Sequence, residues 1–167
     1  MLVWAFGSGE WRGMSELEGF EGHVRDLYRR VLDGWNRASG TDFAAPFAED
    51  GEVIGFDGSQ TKGRSTIADE VGGIFADHAT GRYVGKVRSV RSLGPDAAIL
   101  RAVAGVVPAE EQDLNPALNS VQSLVAERIG GEWLVVLYHN TPAQFHGRPE
   151  LVETLTNELR QELQTRA

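Results

Sequence analysis

Apolar positions recur at helical spacing in three stretches of the chain. Val24, Leu27, Tyr28, Val31, Leu32 and Trp35 share one face, with Arg25, Asp26, Arg29, Arg30 and Asp33 opposite, and predict an amphipathic helix. Gly40 can end that helix, and Thr41 can cap a short second one from Asp42 to Phe47. Gly51 then breaks the chain, Glu52 to Phe56 reads as a short strand, and Asp57-Gly58-Ser59-Gln60 reads as a turn. Ile67, Val71, Ile74 and Phe75 stripe a further helix. Gly72 and Gly73 inside it cost about 1 kcal/mol each relative to Ala, which points to close packing or a bend. Pro149 opens a terminal helix striped by Leu151, Val152, Leu155, Leu159 and Leu163.

From Tyr83 the period changes to that of strands. Four are predicted, over Tyr83–Leu93, Ala97–Val107, Leu118–Ile129 and Glu132–Thr141, with a bulge near Ser89 where the parity slips. Gly94-Pro95-Asp96 and Gly130-Gly131 close hairpins, and Pro108 to Pro116 forms a longer polar connection. Helices, then consecutive antiparallel strands, then a helix make an α+β plan. A strand with one wet face alternates apolar and polar residues, and these do not. Ala97, Ile99, Val103 and Ala98, Leu100, Ala102 occupy opposite parities of one strand; Trp133, Val135, Leu137 and Leu134, Val136, Tyr138 do so in another. Helices can cover one face, and a second copy of the chain is the economical cover for the other, so a homodimer through the outer sheet face is expected.

Composition narrows the chemistry. The 167 residues carry a net charge of −8, which disfavours a nucleic-acid partner, and 41% hydrophobic content, enough for one cored domain. There are no cysteines, so thiolate metal sites and Cys nucleophiles are excluded and the compartment leans to cytoplasm. His23, His78, His139 and His146 are dispersed, and no metal or cofactor motif occurs. The apolar run Leu2 to Phe6 is far too short to span a membrane. The glycines Gly7, Gly9 and Gly13 miss the spacing of a dinucleotide-binding loop, and residues 1–20 are expected to be a loosely ordered leader, with Met14 a candidate natural start. The domain proper is expected over residues 21–147, with residues 148–167 a helix packed on it.

The order of elements and several short motifs resemble a known family. A Trp-containing first helix precedes Phe47-Ala48-Glu49-Asp50-Gly51, Gly63-Arg64 opens a helix, and the last hairpin carries Gly131-Glu132-Trp133. This arrangement is similar to the SnoaL-like branch of the nuclear transport factor 2-like superfamily over roughly residues 20 to 145. Leu100 to Gly105, Asp113-Leu114-Asn115-Pro116 and Asn140 to Pro149 resemble its SgcJ/EcaC subgroup, which is associated with bacterial natural-product clusters, including those for enediyne polyketides. The resemblance implies a cone-shaped curved sheet wrapped by helices, dimeric, with a pocket for a hydrophobic polyketide-type intermediate. Its chemistry would be isomerase-, cyclase- or dehydratase-like, without metal or redox cofactor. A non-catalytic binder or accessory partner of a polyketide synthase, or an oxidoreductase, are the alternatives it leaves.

On such a cone, Asp57 ends a strand at the mouth and is a candidate general base with a raised pKa, or else simple turn chemistry. His139 in the last strand is a candidate acid or base, or else a core or dimer-interface histidine. Arg101 sits among apolar neighbours and needs a carboxylate, a ligand anion or the sheet edge. Asn119, Gln122 and Asn140 can orient a polar substrate, though their parities differ. Tyr28, Trp35, Phe56 and Phe75 either line the pocket or pack the core.

Overall fold

The computed structural model describes residues 9–166, with side chains from residue 19 onward; residues 1–8 of the expected leader, with Gly7 of the glycine pattern, lie outside these residues, and residues 9–20 form the start of the first helix. Four helices, α1 (Gly9–Asn36), α2 (Gly40–Ala44), α3 (Arg64–Asp77) and α4 (Pro149–Thr165), surround strands β1 (Phe47–Ile54), β2 (Gln60–Lys62), β3 (Arg82–Ser92), β4 (Ala97–Val107), β5 (Ser120–Ile129) and β6 (Glu132–Pro142). The strands form one curved sheet in the order β2-β1-β6-β5-β4-β3. All neighbours are antiparallel except β1 and β6, which run parallel. The fold is therefore α+β.

Three local expectations are corrected. Ser39, not Thr41, caps α2: its hydroxyl accepts from the Asp42 amide at 3.1 Å, the i to i+3 geometry of an N-cap. The first strand starts at Phe47 and runs through Gly51 instead of breaking there. Gly51 lies where the register against β6 shifts between Phe47 and Glu52, and a Cβ on it would come within 2.8 Å of the Val135 carbonyl oxygen. In β6 a register shift pairs Ala126 with Val135 but Val125 with Leu137, so Val135 joins Tyr138 and Asn140 on one face and Leu137 joins His139 on the other. The expected bulge in β3 lies between Val87 and Ser89.

The inner face of the sheet packs on α1. Val24, Leu27, Tyr28, Val31 and Leu32 meet Leu100, Ala102, Leu124, Ala126 and Val135, all buried. Small residues bring helix and sheet together: a Cβ at Gly85 would stand 2.4 Å from Tyr28 Oη and 2.6 Å from Leu32 Cδ1. α2 in turn lies directly on α3, because Gly40 faces the backbone of Ala68 and Gly72 with no side chain between.

The outer face is shared between two environments, which corrects the expectation that the chain has nothing left to cover it. α4 lays Leu155 and Leu159 over Val84, Val103 and Val107, with Leu114 beside them. Arg88, thrown out by the bulge, grips Glu158 through Nη1 and Nη2, Lys86 reaches Glu158 at 3.0 Å, and Arg160 reaches Asp113 at 2.8 Å. Beyond α4, the half-buried apolar residues Ile99, Val125, Leu137 and Ile54 remain on the outer face. Among the described residues no helix is long and apolar enough to cross a membrane.

Candidate functional site

The last turn of α1 lies beside the free edge of β3 and holds it by side chains. The Asn36 amide donates to the Tyr83 carbonyl at 3.0 Å and accepts from the Tyr83 amide at 2.7 Å, so it replaces a neighbouring strand. Trp35 Nε1 donates to the Gly81 carbonyl at 3.0 Å. A cavity of about 290 Å³ opens between this corner, α2, α3 and the β1–β2 hairpin, near the lower end of the range for small-molecule sites, about 300–1,000 Å³. Its walls carry the rings of Trp35, Phe43, Phe56, Tyr83 and Tyr138. Trp35 meets Phe43 and Tyr83 edge-on, with centroids 6.1 and 5.5 Å apart, and Phe43 meets Tyr138 edge-on at 6.2 Å. Such contacts hold the rings in fixed orientations.

A chain of buried hydrogen bonds runs into this cavity from the core. Tyr28 Oη donates to Gln122 Oε1 at 2.7 Å, Gln122 Nε2 donates to Asn140 Oδ1 at 3.1 Å, and Asn140 Nδ2 donates to Tyr83 Oη at 2.9 Å. Each member uses its donor on the next, so the chain ends with Tyr83 as acceptor and leaves its own proton for something in the cavity. Tyr138 is 4% exposed, and its hydroxyl makes no hydrogen bond to any described residue. Burial raises the pKa of Tyr28, Tyr83 and Tyr138 above the usual phenol value; the Asn140 bond offsets part of the rise for Tyr83. All three are neutral donors at ordinary pH.

The residues expected from sequence divide into four groups. Trp35, Phe56, Asp57 and Asn140 line the cavity. Tyr28 and Gln122 stand behind it in the hydrogen-bonded chain, and Phe75 supports Trp35 edge-on at 5.1 Å. His139 and Arg101 are on the outer face, in one cross-strand row through Ser123 and turned away from the cavity, because Asn140 and Ala102 occupy the inner parity. Arg101 is exposed there, so solvent supplies what a buried charge would need from a partner. Asn119 lies beneath α4, donating to Thr156 Oγ1 at 2.8 Å, and so ties the helix to the sheet.

Asp57 is at the mouth, but not as a desolvated base. Its Oδ1 accepts from Ser59 N at 3.0 Å and Ser59 Oγ at 2.6 Å, a turn that Gly58 completes at φ 88°. The Ser59 hydroxyl bond, then the Ser59 amide, hold this exposed carboxyl below its usual pKa, opposite to the expected shift. Tyr83, Tyr138, Thr61 and Glu70 are polar lining residues not among the sequence candidates, with Thr61 Oγ1 donating to Glu70 Oε2. Tyr138 shares the parity of Asn140 two residues on, the one cue to it in the sequence; Glu70 stands in a run with nothing to mark it.

A larger depression, about 800 Å³, lies at the opposite end of the sheet against α1. Asp26 and Arg128 on its walls are paired with Arg29 and Asp96. Among the described residues no three His, Asp or Glu side chains gather as metal ligands.

No protein-family model matches the chain, and no curated protein matches it. Solved structures do. A domain of unknown function with a cystatin-like fold from Nostoc punctiforme is 27% identical, with a TM-score of 0.72 over 87% of this chain and 92% of that one. A nuclear transport factor 2-like protein with a cystatin-like fold from Novosphingobium aromaticivorans is 17% identical, with a TM-score of 0.67 over 89% and 98%. A ketosteroid isomerase-like protein from Erwinia carotovora is 15% identical, with a TM-score of 0.58 over 73% and 95%. The curved sheet and the helices wrapped on it thus take the cystatin-like α+β fold of nuclear transport factor 2-like proteins.

Proposed function

We propose that this chain binds a small apolar molecule bearing a carbonyl oxygen, of polyketide type, with that oxygen accepting from Tyr83 and Tyr138. One observation carries the reading: two phenol protons without acceptors among the described residues face a cavity walled by aromatic rings. A hydrogen bond to such a donor is worth about 0.5–1.5 kcal/mol net, so a ligand oxygen that meets it gains selectively over a hydrocarbon. Two donors on a carbonyl oxygen also favour its enolate, the chemistry of an isomerase-like site. Holding without conversion is the reading preferred here, because the carboxylates on the lining, Asp57 and Glu70, are both exposed at the rim and none faces the phenols from the inner wall. An accessory role beside a polyketide synthase, as the SgcJ/EcaC resemblance implies, fits a holding function.

The test is calorimetric titration with 1-tetralone and with tetralin, its counterpart without oxygen. The ketone is expected to bind roughly fivefold or more tighter, and Tyr83→Phe to remove most of that preference. Equal affinities for the two compounds in the unaltered chain would refute the reading.

The uncovered part of the outer face supports a second copy of the chain as partner. Ile99, Val125, Leu137 and Ile54 adjoin there, and sheet-on-sheet packing about 10 Å apart would bury them. Light scattering at micromolar concentration is expected to return twice the chain's 18.2 kDa. A monomer mass would eliminate the dimer.

A further inference from the structure

The inner end of the cavity offers neutral donors, whereas its rim carries charge of one sign. Asp57 and Glu70 line it, and no Lys, Arg or His does. Lys62, the cation on β2, is committed to Glu52 at 3.2 Å. Asp57 takes both Ser59 bonds on Oδ1, and Glu70 takes the Thr61 bond on Oε2, so each carboxylate keeps a second oxygen free among the described residues. These turn and hydroxyl contacts orient both groups without neutralising them.

The acidic rim does not stand alone. Behind it are five aromatic rings and the hydroxyl of Tyr138, a residue 4% exposed, with no hydrogen-bond partner among the described residues. An anionic ligand would meet two like charges on entry and no cation inside. A neutral ligand would leave the rim carboxylates unused. A cation carried on an apolar body would use both, its charge at the rim carboxylates and its body among the rings.

We propose that the ligand is an amine: an apolar body seated among Trp35, Phe43 and Tyr138, with its ammonium at the rim against Glu70 and Asp57. This rests on the reading of the cavity as a small-molecule site and adds the charge of the molecule it selects. An amino group on a carbonyl-bearing body then spans the cavity, oxygen inward at the phenols and nitrogen outward.

The experiment compares three probes with one apolar body, 4-phenylbutylamine, 4-phenylbutan-1-ol and 4-phenylbutanoate, titrated calorimetrically into the full chain at neutral pH and low salt. The amine is expected to bind roughly tenfold tighter than the alcohol, and the carboxylate most weakly. Glu70→Gln is expected to weaken the amine by roughly tenfold and to leave the alcohol within about twofold. Added salt at about 0.5 M gives the same contrast without a substitution, because screening weakens only the charged probe. An alcohol that binds as tightly as the amine, or an amine indifferent to both Glu70→Gln and salt, overturns the amine proposal while the cavity reading stands. If none of the three probes binds while 1-tetralone does, the amine proposal falls alone; if 1-tetralone fails as well, the cavity reading falls with it.

Discussion

Gly40→Ala is expected to lower stability by about 3 kcal/mol, the high end of what overpacking costs. A Cβ at this position would lie 2.3 Å from the Ala68 carbonyl oxygen and 2.7 and 2.9 Å from the Gly72 nitrogen and Cα. These are backbone atoms of α3, so no side chain can swing aside and α2 must lift away. α2 carries Phe43, a wall of the cavity packed edge-on against Trp35 and Tyr138, so the site should loosen together with the core. The expected fall in Tm is on the order of 10 °C. Gly73→Ala supplies the contrast: nothing lies within 4 Å of its Cβ position, and the better helix former should stabilise by up to about 1 kcal/mol. Thermal unfolding followed by circular dichroism separates the two. Equal Tm values for Gly40→Ala and the unaltered chain would mean that α2 and α3 are not in this contact.

Gln122→Leu should cost about 2–5 kcal/mol although the volume is nearly kept, because it strands groups on both sides. Tyr28 Oη loses its acceptor and Asn140 Oδ1 loses its donor, each in the buried interior. Adding Tyr28→Phe removes one stranded group, so the double variant is expected to be more stable than Gln122→Leu alone. That sign of coupling is the signature of a hydrogen-bonded chain and not of simple packing. Urea unfolding of the two single variants and the double variant measures it. A double variant whose losses merely add would show that the chain is not energetically connected. The same substitution should weaken ketone binding, since Asn140 would no longer be held against Tyr83.

Much of the scaffold was legible in the order of residues. The apolar stripe from Val24 to Trp35 became the buried face of α1, β4 ran over the predicted residues, and the bulge in β3 lay where the parity slipped. Helical and strand periods are set by the nearest chain neighbours, so they survive in a one-dimensional reading. Capping moved by two residues to Ser39, and β1 extended back to Phe47, because its parallel partner β6 arrives from the far end of the chain.

The site was legible only in its materials. Parity sorts the residues of a strand into two sets but does not say which set faces a cavity and which faces outward. His139 and Asn140 are adjacent, and a half-turn of the pleat sends one to the outer face and the other into the chain that ends at Tyr83. That choice was made by α1 docking on one face and α4 on the other, which no local pattern encodes. Glu70 and Tyr83 are likewise ordinary positions in their own elements and become rim and donor only when α3 and β3 close one corner. By itself the sequence determined an acidic, cysteine-free α+β chain with a helix-covered sheet and neutral or carboxylate chemistry to work with. Tertiary structure decided which of those groups share a cavity, because long-range pairing and helix docking, not spacing along the chain, assign each strand face its environment.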